Sequence, residues 1–485
     1  MTQNVTPSKL GARRVLALVF ALAFVAAACG QKEGVHVATS AGSGGGTFVT
    51  EDGLGTSGGL DSTGGLDSTG GGTSAGGGTS TKTVSGGGGT GGGGTGGGGT
   101  GGGGGGGSLK SSGTDRTGAP ADKIVIGIHA PATGAAPLPT TSFEKFGDLY
   151  WRYLTEVKKE KVLGRSKVEV IFRDDKYTPS SARQVCRELM DSAFVVVGGG
   201  GTDQVQACGD LANESNVPYM SAGVTERGLR GLPWYFATSM SYKQQTDMLA
   251  QYVKNKLGGG KVGMIVTDTP NFDDAVEGWE AAVKKHGLDD AGVLKHPKGD
   301  TSWYASYGGQ FADDGVKNVF FLSSPVDYIQ FADSNDGRGF QYIGVGVTQG
   351  LNAILPTGCD TVNGGIFFSP FPGLDRAAAM DPEFKAAGDH FQGQLGTPDD
   401  IALVLWSLAK AQHQMFQRYE AAFGNDLTRE DFRAVLETIT GIKTGVGPDL
   451  NYSPDDHFGA AQVHVLQADC ETEQYKTLET FKSSF

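Results

Sequence analysis

From Lys123 onward the chain repeats one rhythm, and that rhythm leaves few folds open. Short, nearly unbroken apolar runs alternate with amphipathic stretches. The runs are "KIVIGIHA" (Lys123–Ala130), "KVEVIFRDD" (Lys167–Asp175), "AFVVVGG" (Ala193–Gly199) and "VPYMSAG" (Val217–Gly223); between them lie segments such as "SSARQVCRELMDS" and "TDQVQACGDLANES". A strand that is apolar on both faces has to be covered on both. Strand–helix alternation of this kind predicts a parallel sheet with crossover helices on either side. After "PWYFATSMSYKQQTDMLAQYVKNKL" the rhythm restarts with "KVGMIVTD", a helix over "NFDDAVEGWEAAVKKHG", then "NVFFLSS", "QYIGVGV" and "GGIFFSP". Helical stretches ("PDDIALVLWSLAKAQHQMFQRYEAAFG", "TREDFRAVLETI") and a last strand-like piece ("AAQVHVLQADC") complete it. The expected fold is α/β, with two doubly wound parallel-sheet lobes. Ligands of such sheets sit beyond the carboxyl ends of the strands, and a cleft between lobes is the favoured pocket.

What precedes this body is of another kind. Of the 485 residues 80 are glycine, and residues 41–107 are mostly Gly, Ser and Thr, too poor in apolar side chains to offset their conformational entropy. At the N-terminus Lys9, Arg13 and Arg14 lead into the apolar run Val15–Ala28, a positive region and hydrophobic core of export-signal length. The small residues ending in "AAACG" resemble a bacterial lipoprotein signal, which implies lipidation of Cys29. Residues 1–28 are then expected to be signal peptide and 29–120 a disordered tether. A Gly-rich coil of that length spans about 5–6 Å times the square root of its residue number, on the order of 50 Å. The expected location is the cell membrane, lipid-anchored on its extracytoplasmic face. "GTSAG" (Gly72–Gly76) matches a nucleophile elbow but lacks the strand and helix that an elbow needs.

A formal net charge of −13 without a basic run argues against nucleic acid as a partner. If Cys29 carries lipid, four of the five cysteines remain, and an even number in an exported domain points to two disulfides. Cys186 and Cys208 lie on successive predicted helices, so they pair locally and leave Cys359 for Cys470. The eight histidines stand in no metal-binding array. No metal site, catalytic residue or cofactor is expected, and the chain does not read as an enzyme.

The polar groups just past strand ends are the candidate site. Thr202 and Asp203 open a helix whose free N–H groups favour an anion. Ser221, Gly223 and Thr225 follow the fourth strand. On the second lobe Phe272, Ser323, Ser324, Thr348 and Gln349 hold the matching positions. "IVIGIHAPATG", "VVGGGGTDQVQACGDLANESNVPYMSAGVT" and "GMIVTDTPNFDDAVEGWEAAVKKHG" resemble the branched-chain amino acid type of periplasmic binding protein, over essentially all of 123–485. The resemblance implies a type I clamshell with crossing hinge strands. Lobe one is expected over about 121–238 plus 371–440, and lobe two over about 239–370 plus 441–485. It implies a monomeric receptor that delivers a small solute to the permease of an ABC importer. Thr202 and Thr225, helped by backbone near Gly223, would hold a ligand carboxylate, and Phe272 would line the pocket. The family's second aromatic, near Ser324, is missing, and so is the acid near Thr348 that meets a ligand ammonium; here the chain reads "GVGVTQGLN". A carboxylate-bearing or polar solute therefore fits as well as an amino acid. The same fold could also serve a ligand-sensing receptor or a surface interaction protein without transport.

Overall fold

The computed structural model describes residues 109–134, 140–346, 351–352 and 354–485. The export signal, Cys29, the glycine run, the elbow-like Gly72–Gly76, and Thr348 and Gln349 lie outside the described residues. Two sheets carry the chain. The first holds β1 (Lys123–Ala130), β2 (Lys167–Asp174), β3 (Val195–Gly198), β4 (Tyr219–Ser221) and β5 (Tyr235–Ala237), all parallel, in the order β2-β1-β3-β4-β5. The second, in the order β12-β11-β10-β9-β8-β6-β7, contains β6 (Lys261–Thr267), β7 (Asp289–His296), β8 (Asn318–Leu322), β9 (Gln341–Val345), β10 (Ile366–Ser369), β11 (Val463–Asp469) and β12 (Gln474–Lys482). Its first five members in chain order are parallel, and β11 and β12 close the edge antiparallel. Seven of the eight residues of β1 are buried, as a strand flanked by helices on both faces requires.

The helices that matter for the site are α1 (Thr140–Phe146), α2 (Leu149–Arg152), α3 (Pro179–Met190), α4 (Thr202–Ser215), α5 (Tyr242–Lys256), α6 (Asp273–His286), α7 (Tyr304–Asp313), α8 (Pro325–Ser334), α9 (Cys359–Val362), α10 (Leu374–Met380), α11 (Pro382–Leu395), α12 (Asp400–Phe423) and α13 (Arg429–Leu436). Sequence periodicity predicts one helix over residues 141–159. The structure instead breaks it after Phe146 and finishes with a π-helical turn, Tyr153–Val157. Gly147 sits at the break, and a Cβ there would come within 3.3 Å of both Ile128 on β1 and Val170 on β2. Close packing on the sheet overrides the helical period there.

After β5 the chain passes to the second sheet. It returns after β10 to place α11, α12 and α13 on the first lobe, and crosses once more before β11. Trp406 anchors α12: its indole N–H donates to Asp381 (3.0 Å) and its ring meets Tyr150 edge-on at 4.9 Å. The stripe Ile401, Val404, Leu405 and Leu408 is thereby left for the space between the lobes.

Both expected disulfides are present, Cys186–Cys208 joining α3 to α4 and Cys359–Cys470 joining α9 to the end of β11. The body begins earlier than the tether boundary at residue 120 suggests. The Leu109 N–H donates to the Ala422 carbonyl (2.7 Å), and Asp115 pairs with Arg429 (2.8 Å). Arg429, only 4% exposed, also donates to the Phe194 and Met190 carbonyls. A buried guanidinium with several acceptors holds a strap that composition alone would leave loose.

Candidate functional site

The carboxyl ends of β1 and β3 face those of β6 and β8 across a cleft, at the strand-order switch point of each sheet. The cleft contains about 1240 Å³ of space, its open mouth included. Its first wall is the glycine run Gly198–Gly201 with Thr202 and Gly223, and its second is Phe272, Ser323 and Ser324. Phe143, Tyr177 and Tyr242 add aromatic surface, and the α12 stripe with Leu351 and Phe371 supplies an apolar floor. None of the described lining residues carries a charge.

The glycines are there because nothing larger fits. A Cβ on Gly199 would stand 2.6 Å from the Ala130 Cβ and 2.7 Å from the Phe143 ring. Gly201 has φ +76° and its Cβ would strike the Gln204 amide at 2.1 Å. Gly201 is also the N-cap of α4, so no side chain caps this helix, whereas Thr178, Ser241 and Ser324 cap α3, α5 and α8. The α4 N-terminus is thus an uncapped source of partial positive charge at the cleft wall. Gln204 is fully buried beside it, with neither amide atom hydrogen-bonded.

Five of the ten predicted site residues line the cleft: Thr202, Gly223, Phe272, Ser323 and Ser324. Three do not. Ser221 is buried beneath, bonded to the Tyr235 hydroxyl (3.0 Å) and donating to the Ala222 carbonyl (2.9 Å). The Thr225 hydroxyl donates to Asp274 of α6 (3.1 Å), which also accepts the Glu226 N–H (2.6 Å); Thr225 therefore joins the lobes and does not face the cleft. Asp203 likewise turns to lobe two, accepting from Thr269 (3.0 Å), Asn271 (2.6 Å) and Lys298 (3.3 Å). Thr348 and Gln349 remain outside the described residues.

Ser323 and Ser324 are tied from below. The Ser323 Oγ meets Thr267 (2.7 Å), His296 Nε2 (3.0 Å) and Asp327 (2.7 Å), and Ser324 donates to the same Asp327 oxygen (2.7 Å). His296 stacks on Trp303 at 4.0 Å, and burial holds its pKa below the usual histidine value. Its Nδ1 faces the Pro297 carbonyl (3.1 Å), so the ring is oriented by backbone and not by a carboxylate. This network positions two hydroxyls as a wall.

On lobe one, fully buried His129 bridges Asp175 (2.8 Å) and the Tyr219 hydroxyl (2.8 Å). Asp175 in turn accepts the N–H of Tyr177 (3.0 Å), a cleft residue at φ +56°. Lys298 of lobe two lies 4.1 Å above the Tyr177 ring. The one His/Cys cluster among the described residues with metal-like spacing is His129, Cys186 and Cys208, and its two sulfurs are joined to each other.

Sequence reasoning did not find Tyr177, Tyr242 or the α12 stripe. The stripe's spacing, i, i+3, i+4, i+7, is that of any core helix, so the pattern alone does not say that it faces a cleft.

Two hinged parallel-sheet lobes meeting over a cleft of hydroxyls, backbone amides and apolar walls define a solute-binding protein of the clamshell class. The family model described as periplasmic binding protein matches residues 123–474, and the chain belongs to that family. Among curated proteins none matches it. Solved structures share the fold at low identity. A fatty acid ABC transporter substrate-binding protein from Thermomonospora curvata is 18% identical, with TM-score 0.64 over 77% of this chain and 95% of that one. A solute-binding protein from Rhodopseudomonas palustris in complex with 3,4-dihydroxybenzoic acid is 19% identical, with TM-score 0.60 over 75% and 98%. A branched-chain amino acid ABC transporter protein from Thermus thermophilus with bound valine is 18% identical, with TM-score 0.59 over 75% and 97%. No helix among the described residues is long and apolar enough to cross a membrane.

Proposed function

We propose that this protein is the solute receptor of an ABC importer, and that its solute is a carboxylate with a substantial apolar body. The observation that carries the reading is the cleft itself: no described lining residue is charged, one wall is the uncapped N-terminus of α4, and the floor is Ile401, Val404, Leu405, Leu408, Leu351 and Phe371. A free α-amino acid brings an ammonium that an apolar, uncharged cleft desolvates without repayment. A fatty or aromatic acid brings one anion, which a helix N-terminus and the Thr202 hydroxyl suit, and a body that gains about 25 cal/mol for each Å² buried. Neighbours of the same fold include a fatty acid transporter's substrate-binding protein and a dihydroxybenzoate complex, as well as a valine complex, so the fold accommodates such acids. In the working cycle the solute first contacts lobe one, the lobes close over it, and the closed form docks on the permease. Lipid on Cys29 and the glycine tether keep the receptor near the membrane, so Cys29→Ala should release it to the soluble fraction.

The test is a thermal-shift and calorimetry screen of the full-length chain. At 100 times its Kd a ligand stabilises by about 2.7 kcal/mol, a shift of several degrees. Six- to ten-carbon and aromatic carboxylates should raise the melting temperature, while free α-amino acids and sugars should not. The reverse pattern refutes the apolar-acid reading.

A further inference from the structure

A second, smaller cavity adjoins the cleft, with about 290 Å³ of space including its opening. Leu351, Phe371 and Val404 line both, so the two share an apolar wall. Asn352, Ser369 and Asp400 give it polar character. Asp400, the first residue of α12, is 8% exposed. Its Oδ2 accepts the Asn352 N–H, and its Oδ1 has no hydrogen-bond partner.

The side-chain oxygens of its polar neighbours accept from the backbone. The Ser369 Oγ accepts the Phe371 N–H (3.0 Å), and the Asn352 side-chain oxygen accepts the Tyr475 N–H (2.7 Å). Burial raises the Asp400 carboxyl to about 6, with neighbouring Asp399 adding to the rise. Buried polar atoms are nearly always bonded, and an exception asks for a cause. Here the enclosed, unbonded oxygen belongs to a residue that lines a cavity beside the solute cleft.

We propose that Asp400 is the far-end subsite of the cleft, taking a hydrogen-bond donor, an ammonium or a hydroxyl, that the solute carries at the end opposite its carboxylate. This rests on the apolar-acid reading and narrows it to two-ended acids. The carboxylate lies at the α4 N-terminus, the apolar body runs along Leu405, Val404 and Phe371, and the distal donor meets Asp400 Oδ1.

The full-length chain is titrated calorimetrically with straight-chain carboxylates of six to ten carbons, each unsubstituted, ω-hydroxylated and ω-aminated. A hydrogen bond to a charged group is strong enough to give about tenfold or more in affinity. At least one donor-bearing acid should bind wild type about tenfold more tightly than its unsubstituted counterpart. Asp400→Leu should abolish that preference and leave the unsubstituted acid within about threefold. Asp400→Asn should lose the ammonium gain and keep part of the hydroxyl gain, which separates the two donors and serves as the test if the leucine variant does not fold. Equal binding of plain and donor-bearing acids by wild type overturns the subsite, as does a preference that survives in Asp400→Leu. Wild type that binds none of the acids refutes the apolar-acid reading itself, and the subsite with it.

Discussion

Asp203 stands at the entrance of α4, next to the cleft residue Thr202, yet all of its side-chain partners belong to the other lobe. Thr269 and Asn271 donate to Oδ1 at 3.0 and 2.6 Å, and Lys298 reaches Oδ2 at 3.3 Å. The side chain is 18% exposed and that of Lys298 36%. Asp203→Ala therefore removes an interlobe latch without touching the lining of the cleft. Each hydrogen bond to a carboxylate contributes about 1.5–3 kcal/mol, and a half-exposed ion pair at most about 1 kcal/mol. Because opening lets water replace all three partners, the net contribution to closure is about 2–4 kcal/mol, a factor of roughly 30 to 1000 in the open–closed equilibrium. Apparent affinity scales with the fraction of closed molecules. The variant should bind every solute more weakly by the same factor, whatever its chemistry, and should widen the interlobe distance distribution measured by single-pair fluorescence transfer. Asp203→Asn should fall between the two, since its amide oxygen still accepts from Thr269 and Asn271. Lys298→Met should be milder, removing only the ion pair and the Tyr177 contact. If Asp203→Ala leaves both affinity and the distance distribution within about twofold of wild type, these contacts supply no closing energy and the latch argument is wrong.

A carboxyl raised to about 6 in the fold and near 3.9 unfolded destabilises the protein above pH 6, by about 3 kcal/mol, and not below pH 4. The melting temperature of Asp400→Asn should therefore exceed wild type at pH 8, and the difference should shrink as pH falls to 4; calorimetry that finds the gap constant with pH contradicts this. Gly199→Ala drives a methyl into Ala130 and Phe143, so it should lower both stability and solute affinity, the latter about tenfold or more by calorimetric titration. The two disulfides close segments of 22 and 111 residues, for which loop entropy gives about 3.4 and 4.8 kcal/mol. Paired alanine replacements should then lower the denaturant midpoint more at Cys359/Cys470 than at Cys186/Cys208.

How much of this was written locally can be traced strand by strand. β1 has the predicted bounds, and β3, β4 and β6 lie within their predicted runs, because an unbroken apolar run between turn residues has little else to become. β7, "DDAGVLKH", and β12, "QYKTLETFK", carry no such run: both are edge strands, half exposed, and lack the apolar signal of a buried one. The site divides in the same way. Thr202, Gly223, Phe272, Ser323 and Ser324 reach the cleft because the carboxyl end of a parallel strand is a local property of its sequence.

Asp203 and Thr225 sit at equally suitable positions, one and four residues from residues that line the cleft or just beyond a strand end. Their side chains are claimed by Lys298, 95 residues away, and by Asp274, 49 residues away, once the lobes close. The α12 stripe became a cleft floor only because the chain recrosses after β10 and Trp406 fixes the helix against Tyr150. Strand, helix and strand end came from the sequence by itself, through periodicity and turn chemistry that act over a few residues. Which polar groups face the solute, which hold the lobes together, and where an apolar helix face meets the cleft and not the core were decided only by tertiary packing, because those partners lie tens to hundreds of residues apart and no local pattern encodes their meeting.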